Sequence, residues 1–225
     1  MTFQVALIGN NGIVLVSDRL FVERGLRGFM DKRTPHQRQV SEKIMTSGDK
    51  NTVCAFAGGP HSETIARRIV TACNPHGLSD VEWRNSLEAA TKLITKYSEN
   101  LLDEIIVIRC DNVSVLKLIR QQNNDPSFMA VTSQVCSGID SYARAIPQFF
   151  WHSDMDVEAL TTLGIVTIDY ARLEHPHLIG GGIDIVKIDS KGNFTKQSFE
   201  ESETAEIRAA FVEQVRRSLN GKENQ

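Results

Sequence analysis

Two apolar runs joined by a short small-residue segment constrain this chain more than any other feature. Thr2-Phe3-Gln4-Val5-Ala6-Leu7-Ile8 alternates like a strand, Gly9-Asn10-Asn11-Gly12 supplies residues that accept positive φ, and Ile13-Val14-Leu15-Val16 resumes the apolar pattern. That succession predicts a β-hairpin. Its second strand leaves through Ser17-Asp18-Arg19. Because a hairpin folds its end back toward its start, Asp18 is expected close to Thr2.

Thr2 directly follows Met1. Removal of Met1 would place a hydroxyl nucleophile and a free α-amine on one residue. An α-amine titrates near pH ~8, whereas side-chain ammonium groups stay charged to about pH 10. A neutral α-amine can therefore take the proton of the Thr2 hydroxyl at physiological pH, which is the threonine form of an activated nucleophile. An intact Met1 would convert that base into an amide. Read alone, Thr2 is equally an early β-branched strand residue.

Thr2, the small-turn hairpin and the Asp18-Arg19 exit resemble the amino-terminal signature of proteasome β-type subunits, including the bacterial two-ring protease HslV. The resemblance extends along nearly the whole chain. In that family a lysine opens the next strand, and Lys43, in Val40-Ser41-Glu42-Lys43-Ile44, occupies that place, with Lys32 as a competitor. The resemblance implies that the Lys43 ammonium lowers the pKa of the Thr2 hydroxyl, with Asp18 as its counter-ion. The strand Thr52–Ala57 runs into Gly58-Gly59-Pro60, and Gly58 matches the glycine whose backbone N–H helps form the oxyanion hole. In the family's two later turns, Cys136-Ser137-Gly138 keeps the serine, Ser137, with a cysteine replacing the first glycine. Setting Gly180-Gly181-Gly182 in register puts Pro176 and Ile179 where the family has aspartate and serine, leaving Glu174 or His177 as substitutes.

Strands are expected near 2–9, 13–18, 42–47, 52–57, 105–108, 113–119, 183–189 and 194–198. Helices are expected near 61–75, 79–100, 140–150, 156–173 and 202–219. Within the second helix, Leu87, Ala90, Leu93, Ile94 and Tyr97 form an apolar face that must be covered. This order suits two packed sheets between helical layers. With the resemblance it implies an α+β fold, the four-layer αββα sandwich of the N-terminal nucleophile hydrolases, as one domain over residues 1–225. At 41% hydrophobic and 24% charged, 225 residues bury a sizeable core without a second domain.

A formal charge of -3 argues against a general nucleic-acid surface. The local basic cluster Arg24, Arg27, Lys32, Arg33 and Arg38 reads as a solvated loop or a subunit contact. No run approaches the roughly 20 apolar residues of a membrane span, and the start lacks signal-peptide regions, so a cytoplasmic protein is expected. Cys54, Cys73, Cys110 and Cys136 lack metal-ligand spacing and read as small core residues. Glu174, His175 and His177 read as a turn rather than a metal site. Phe149-Phe150-Trp151-His152 reads as a packed helix end or a subunit interface. No cofactor is expected.

The resemblance implies a threonine-type peptidase that self-assembles into stacked homo-oligomeric rings and cleaves unfolded polypeptide, with an ATP-dependent unfoldase as a possible partner. Two alternatives accompany it: a catalytically inactive ring or scaffold subunit, and an N-terminal nucleophile amidohydrolase acting on a small amide.

Overall fold

The computed structural model describes residues 2–23, 37–57, 60–95, 104–120 and 126–220. Its strands form two five-stranded antiparallel sheets and a two-stranded ribbon. The first sheet contains β1 (Phe3–Ile8), β2 (Gly12–Asp18), β10 (Gln134–Gly138), β11 (Ile183–Asp189) and β12 (Phe194–Phe199), in the order β10-β1-β2-β11-β12. The second runs in sequence order through β5 (Ile44–Thr46), β6 (Thr52–Ala57), β7 (Glu104–Arg109), β8 (Ser114–Arg120) and β9 (Pro126–Val131). The ribbon pairs β3 (Leu20–Glu23) with β4 (Gln37–Val40).

The predicted hairpin forms in the register Val5↔Val16 and Ile8↔Ile13, closed by Gly9 N–H donating to Gly12 O at 2.9 Å. The reason for its glycines differs from the expected one, since neither Gly9 nor Gly12 adopts positive φ. A Cβ on Gly9 would stand 2.2 Å from Met155 O, and one on Gly12 would stand 2.1 Å from Ile188 O. Close backbone approach excludes side chains at both ends of this turn.

Three apolar cores follow from the alternation of side chains along each strand. Phe3, Val5, Leu7, Val14, Val16 and Ile185 pack against Leu160, Leu163 and Ile168 of α4 (Val157–Glu174). On the opposite face of the same sheet, Ala6, Ile13, Leu15 and Val186 meet Ile44, Val53, Ala55 and Ile106 of the second sheet. The far face of that second sheet, through Cys54, Phe56, Ile105 and Val107, packs on α1 (Pro60–Ala72) and α2 (Asp80–Thr95). β1, β2 and β6 are therefore covered on both faces, and all their described side chains but Ile8 are buried.

Local chemistry sets the helix starts. Asp156 caps α4, its carboxylate accepting from Ala159 N–H at 2.8 Å, a contact worth about 1 kcal/mol. Ser79 and Glu82 cap α2 reciprocally. The helix expected over 140–150 divides into a 3-10 turn, Tyr142–Arg144, and α3 (Ala145–Phe150). The terminal helix is α5 (Glu201–Asn220). The helix expected to reach residue 100 is described to Thr95, and Tyr97 lies outside the described residues. The Cys136-Ser137-Gly138 segment, expected as a turn, is the end of β10, paired to β1. All four cysteines are free and buried, as expected of core residues, and burial pushes the Cys110 thiol up to about 12.

Candidate functional site

The hairpin brings Asp18 to the start of β1, as its sequence predicts. One carboxylate oxygen, Oδ1, accepts from Phe3 N–H at 2.9 Å. The other, Oδ2, accepts from Lys43 Nζ at 2.9 Å, from Leu20 N–H at 3.2 Å and from Gly180 N–H at 3.5 Å. Asp18 thus bridges the residue after Thr2 to the residue that opens β5. Lys43 Nζ also donates to Leu20 O at 2.6 Å, and the Lys43 carbonyl accepts from Phe56 N–H at 3.2 Å, fixing both ends of the lysine.

Thr2, Asp18 and Lys43 are 5%, 1% and 1% exposed. Burial pushes the Asp18 carboxyl up, against the opposing pull of Lys43 and the backbone donors. Burial likewise pushes the Lys43 ammonium down, opposed by Asp18 and, more weakly, by Asp184. An ammonium so placed releases a proton more readily than a surface lysine does.

Thr2 is also held from β10. Its carbonyl accepts from Ile139 N–H at 2.8 Å, and Gly138, at φ +103°, passes so close that a Cβ there would stand 2.0 Å from Thr2 O. Arg144 fastens this segment by donating to Gly138 O at 2.7 Å and Ile139 O at 3.1 Å, with its guanidinium 5.9 Å from the Phe3 ring centroid.

A polar row crosses the first sheet beside these residues. Ser137 opposes Gln4, Gln4 opposes Ser17, and Ser17 opposes Asp184. Each stands two residues along its strand from a residue of the inter-sheet core, namely Val135, Ala6, Leu15 and Val186, so all four face the second sheet. All four are buried. Asp184 Oδ1 accepts from Ser198 Oγ at 2.6 Å and lies 3.7 Å from Arg19 Nε. Ser137 Oγ is buried without a partner.

The structure therefore brings Thr2, Asp18, Lys43 and Ser137 to one end of the first sheet. Gly58 and Lys32 lie outside the described residues, as do Arg24, Arg27 and Arg33 of the basic cluster. Glu174 is engaged elsewhere, accepting from Ser141 Oγ at 2.5 Å and Tyr142 N–H at 3.0 Å, and His177 is exposed. Sequence reasoning missed Gln4, Asp184, Arg144 and the Gly180 N–H. Gln4 and Asp184 carried a visible signal, each a polar residue inside an apolar strand. Arg144 and Gly180 carried none, because their partners are backbone atoms remote in sequence.

Among the described residues, no group of three or more His, Cys, Asp or Glu side chains could hold a metal ion. None of the described helices is long and apolar enough to cross a membrane. The charge-bearing atoms at the start of β1 are those of a proton-transfer site.

No protein-family model and no curated protein matches the chain. Solved structures do. The Gly-1 mutant of Anbu from Hyphomicrobium sp. strain MC1 superposes with a TM-score of 0.72 at 14% identity, covering 98% of this chain and 97% of that one. A second Anbu structure from the same strain gives 0.69 at 12% identity, with 97% of both chains covered. Anbu (ancestral beta-subunit) from Yersinia bercovieri gives 0.68 at 11%, again with 97% of both chains covered. At these identities the likeness establishes the fold alone, an N-terminal nucleophile hydrolase-like α+β fold. It corrects the resemblance to proteasome β-type subunits and HslV. The similar structures are Anbu proteins, a proteasome-like but distinct family. The hairpin and the Asp18-Arg19 exit report a chain geometry that distinct families share, whereas Cys136, Pro176 and Ile179 depart from the pattern first drawn.

Proposed function

We propose that this chain is a threonine-type hydrolase subunit that cleaves peptide bonds, with Thr2 as nucleophile once its α-amine is free. The observation that carries the reading is the Asp18 carboxylate, which joins Phe3 N–H to Lys43 Nζ in a buried setting. In this scheme Thr2 Oγ attacks the substrate carbonyl while the α-amine takes the hydroxyl proton. The Lys43 ammonium favours the developing alkoxide, and Asp18 holds that ammonium in line. Collapse of the tetrahedral intermediate breaks the C–N bond, the proton passes to the leaving amine, and water then hydrolyses the ester on Thr2. Gly58 is the proposed oxyanion donor, and Ser137 a supporting hydroxyl beside Thr2.

The three stacked cores support the αββα layering as one domain over residues 1–225. The similarity to a protein described as an ancestral beta-subunit supports self-assembly into rings around the Thr2 sites, with unfolded polypeptide as substrate. Hydrolysis of a fluorogenic peptide amide tests the chemistry. Turnover is expected in the unmodified chain and in Thr2→Ser, and absent in Thr2→Ala; equal turnover in Thr2→Ala would overturn the assignment.

A second reading is a ring subunit without catalysis. It is favoured by the capture of Glu174 by Ser141 and Tyr142, with Pro176 and Ile179 standing where a proteasome β-type subunit has aspartate and serine. Assembly to rings with no turnover of any peptide would select it.

A further inference from the structure

At the end of β1 opposite Thr2, the start of α2, β8, β9 and Ile8 enclose a cavity of about 350 Å³. Six steps of extended chain separate Thr2 from Ile8, roughly 20 Å, so this cavity is independent of the chemistry proposed above. Its walls are largely apolar, with Ile8, Val113, Leu116 and Val131 among them. Its size falls within the range of small-molecule pockets, roughly 300–1,000 Å³.

Two donors lining the cavity have nothing to donate to. Trp83 is 1% exposed, and its Nε1 is buried without a hydrogen-bond partner; Arg84 Nε is in the same position. Both groups donate and neither accepts, so only an acceptor brought from outside can satisfy them. The carboxylate that shares the cavity, Asp80, is already engaged, its Oδ1 accepting from Arg109 Nη1 at 3.3 Å and Asn112 Nδ2 at 2.6 Å. Arg109 is in turn spent on Asp111, Pro75 O and Leu78 O, and its guanidinium lies 5.7 Å from the Trp83 ring centroid. Arg84 makes no ion pair among the described residues. Val113, at the wall, holds φ at 53°, a left-handed conformation rare for a β-branched residue. Such strain is concentrated at ligand sites.

We infer that this cavity binds a small organic carboxylate, whose oxygens accept from Trp83 Nε1 and Arg84 Nε while its apolar body packs on Val113 and Leu116. A carboxylate matches two N–H donors, and a guanidinium edge takes it with a charge-assisted bond. A hydrated inorganic anion would leave the apolar walls uncovered.

The sequence holds two tryptophans, Trp83 and Trp151, so 5-fluorotryptophan labelling gives two fluorine resonances, assigned with Trp151→Phe. The probes are 3-phenylpropanoate and its neutral counterpart 3-phenylpropanol. The Trp83 resonance is expected to shift saturably with the acid, and affinity to fall at least about tenfold for the alcohol and for Arg84→Gln. Equal affinity for acid and alcohol, an unshifted Trp83 resonance, or undiminished binding by a folded Arg84→Gln variant would each overturn the proposal. The comparison of acid with alcohol uses the unmodified side chains and carries the test even where Arg84→Gln fails to fold.

Discussion

Lys43 Nζ stands 2.9 Å from Asp18 Oδ2, with the two side chains 1% and 0% exposed. Two formal charges are thus held at the junction of both sheets, one strand residue from Thr2. A buried pair of this kind is rarely retained for stability, because the cost of desolvating two ions rivals their attraction. Its retention is explained by work on a neighbouring group, and the Thr2 hydroxyl is the nucleophile within that neighbourhood.

Breaking the pair from one side should be costly. Lys43→Met leaves the Asp18 carboxylate buried without its cation, with an expected loss of about 3–5 kcal/mol in urea unfolding. Adding Asp18→Asn removes the stranded charge and should restore much of that loss, a coupling on the order of 2 kcal/mol. Additive effects would show that the two groups do not act as a pair.

The same variant should reshape the pH dependence of stability. Burial raises the Asp18 carboxyl, so its contribution is fully present below about pH 3.9 and is lost as pH rises through its folded value. Lys43→Met removes the main opposing influence and extends that loss to higher pH. Lys43 itself, lowered by burial, contributes stability that shrinks as pH falls through its folded value, and the variant lacks this contribution. The deficit of Lys43→Met is therefore expected to be small near pH 4 and to widen toward pH 8 in urea titrations. A constant deficit would contradict the assignment.

Gly138 should tolerate no side chain. Gly138→Ala sets a Cβ 2.0 Å from Thr2 O at φ +103°, and its expected cost exceeds about 2 kcal/mol, with loss of any Thr2-dependent turnover. Gly77→Ala is the control, with φ +75° and nothing within 4 Å. It should cost about 1 kcal/mol and leave turnover intact. Thermal melts and peptide hydrolysis on the two variants separate strain from clash.

Ser137 offers a test of function against stability. Its Oγ is buried without a partner, so Ser137→Ala should leave stability within about 1 kcal/mol of the unmodified chain, or raise it. If the hydroxyl supports Thr2, turnover falls while the urea midpoint holds. Unchanged turnover would assign Ser137 to the polar row alone.

The hairpin, the Asp18 placement and Lys43 were legible because each depends on local pattern: alternation, small turn residues and the start of an apolar strand. Strands β3, β4, β9 and β10 were not, although β10 supplies Ser137 and holds Thr2. Gln134-Val135-Cys136-Ser137-Gly138 carries little apolar alternation, and its pairing with Phe3–Leu7 joins segments over a hundred residues apart. The Gly180 loop is similar. Its approach to Asp18 depends on Arg19 N–H donating to Gly180 O and Gly182 O, a contact set by tertiary packing. The glycines at 9 and 12 were identified as turn residues for the wrong reason, since the crowding by Met155 and Ile188 has no local signature.

The most direct test of Thr2 as a nucleophile is the intact mass of the protein before and after a threonine-directed epoxyketone, which reacts with both the hydroxyl and the free amine of an N-terminal threonine. The account predicts a mass lacking Met1 and one adduct per chain, absent in Thr2→Ala. A chain that retains Met1 and takes no adduct would contradict it.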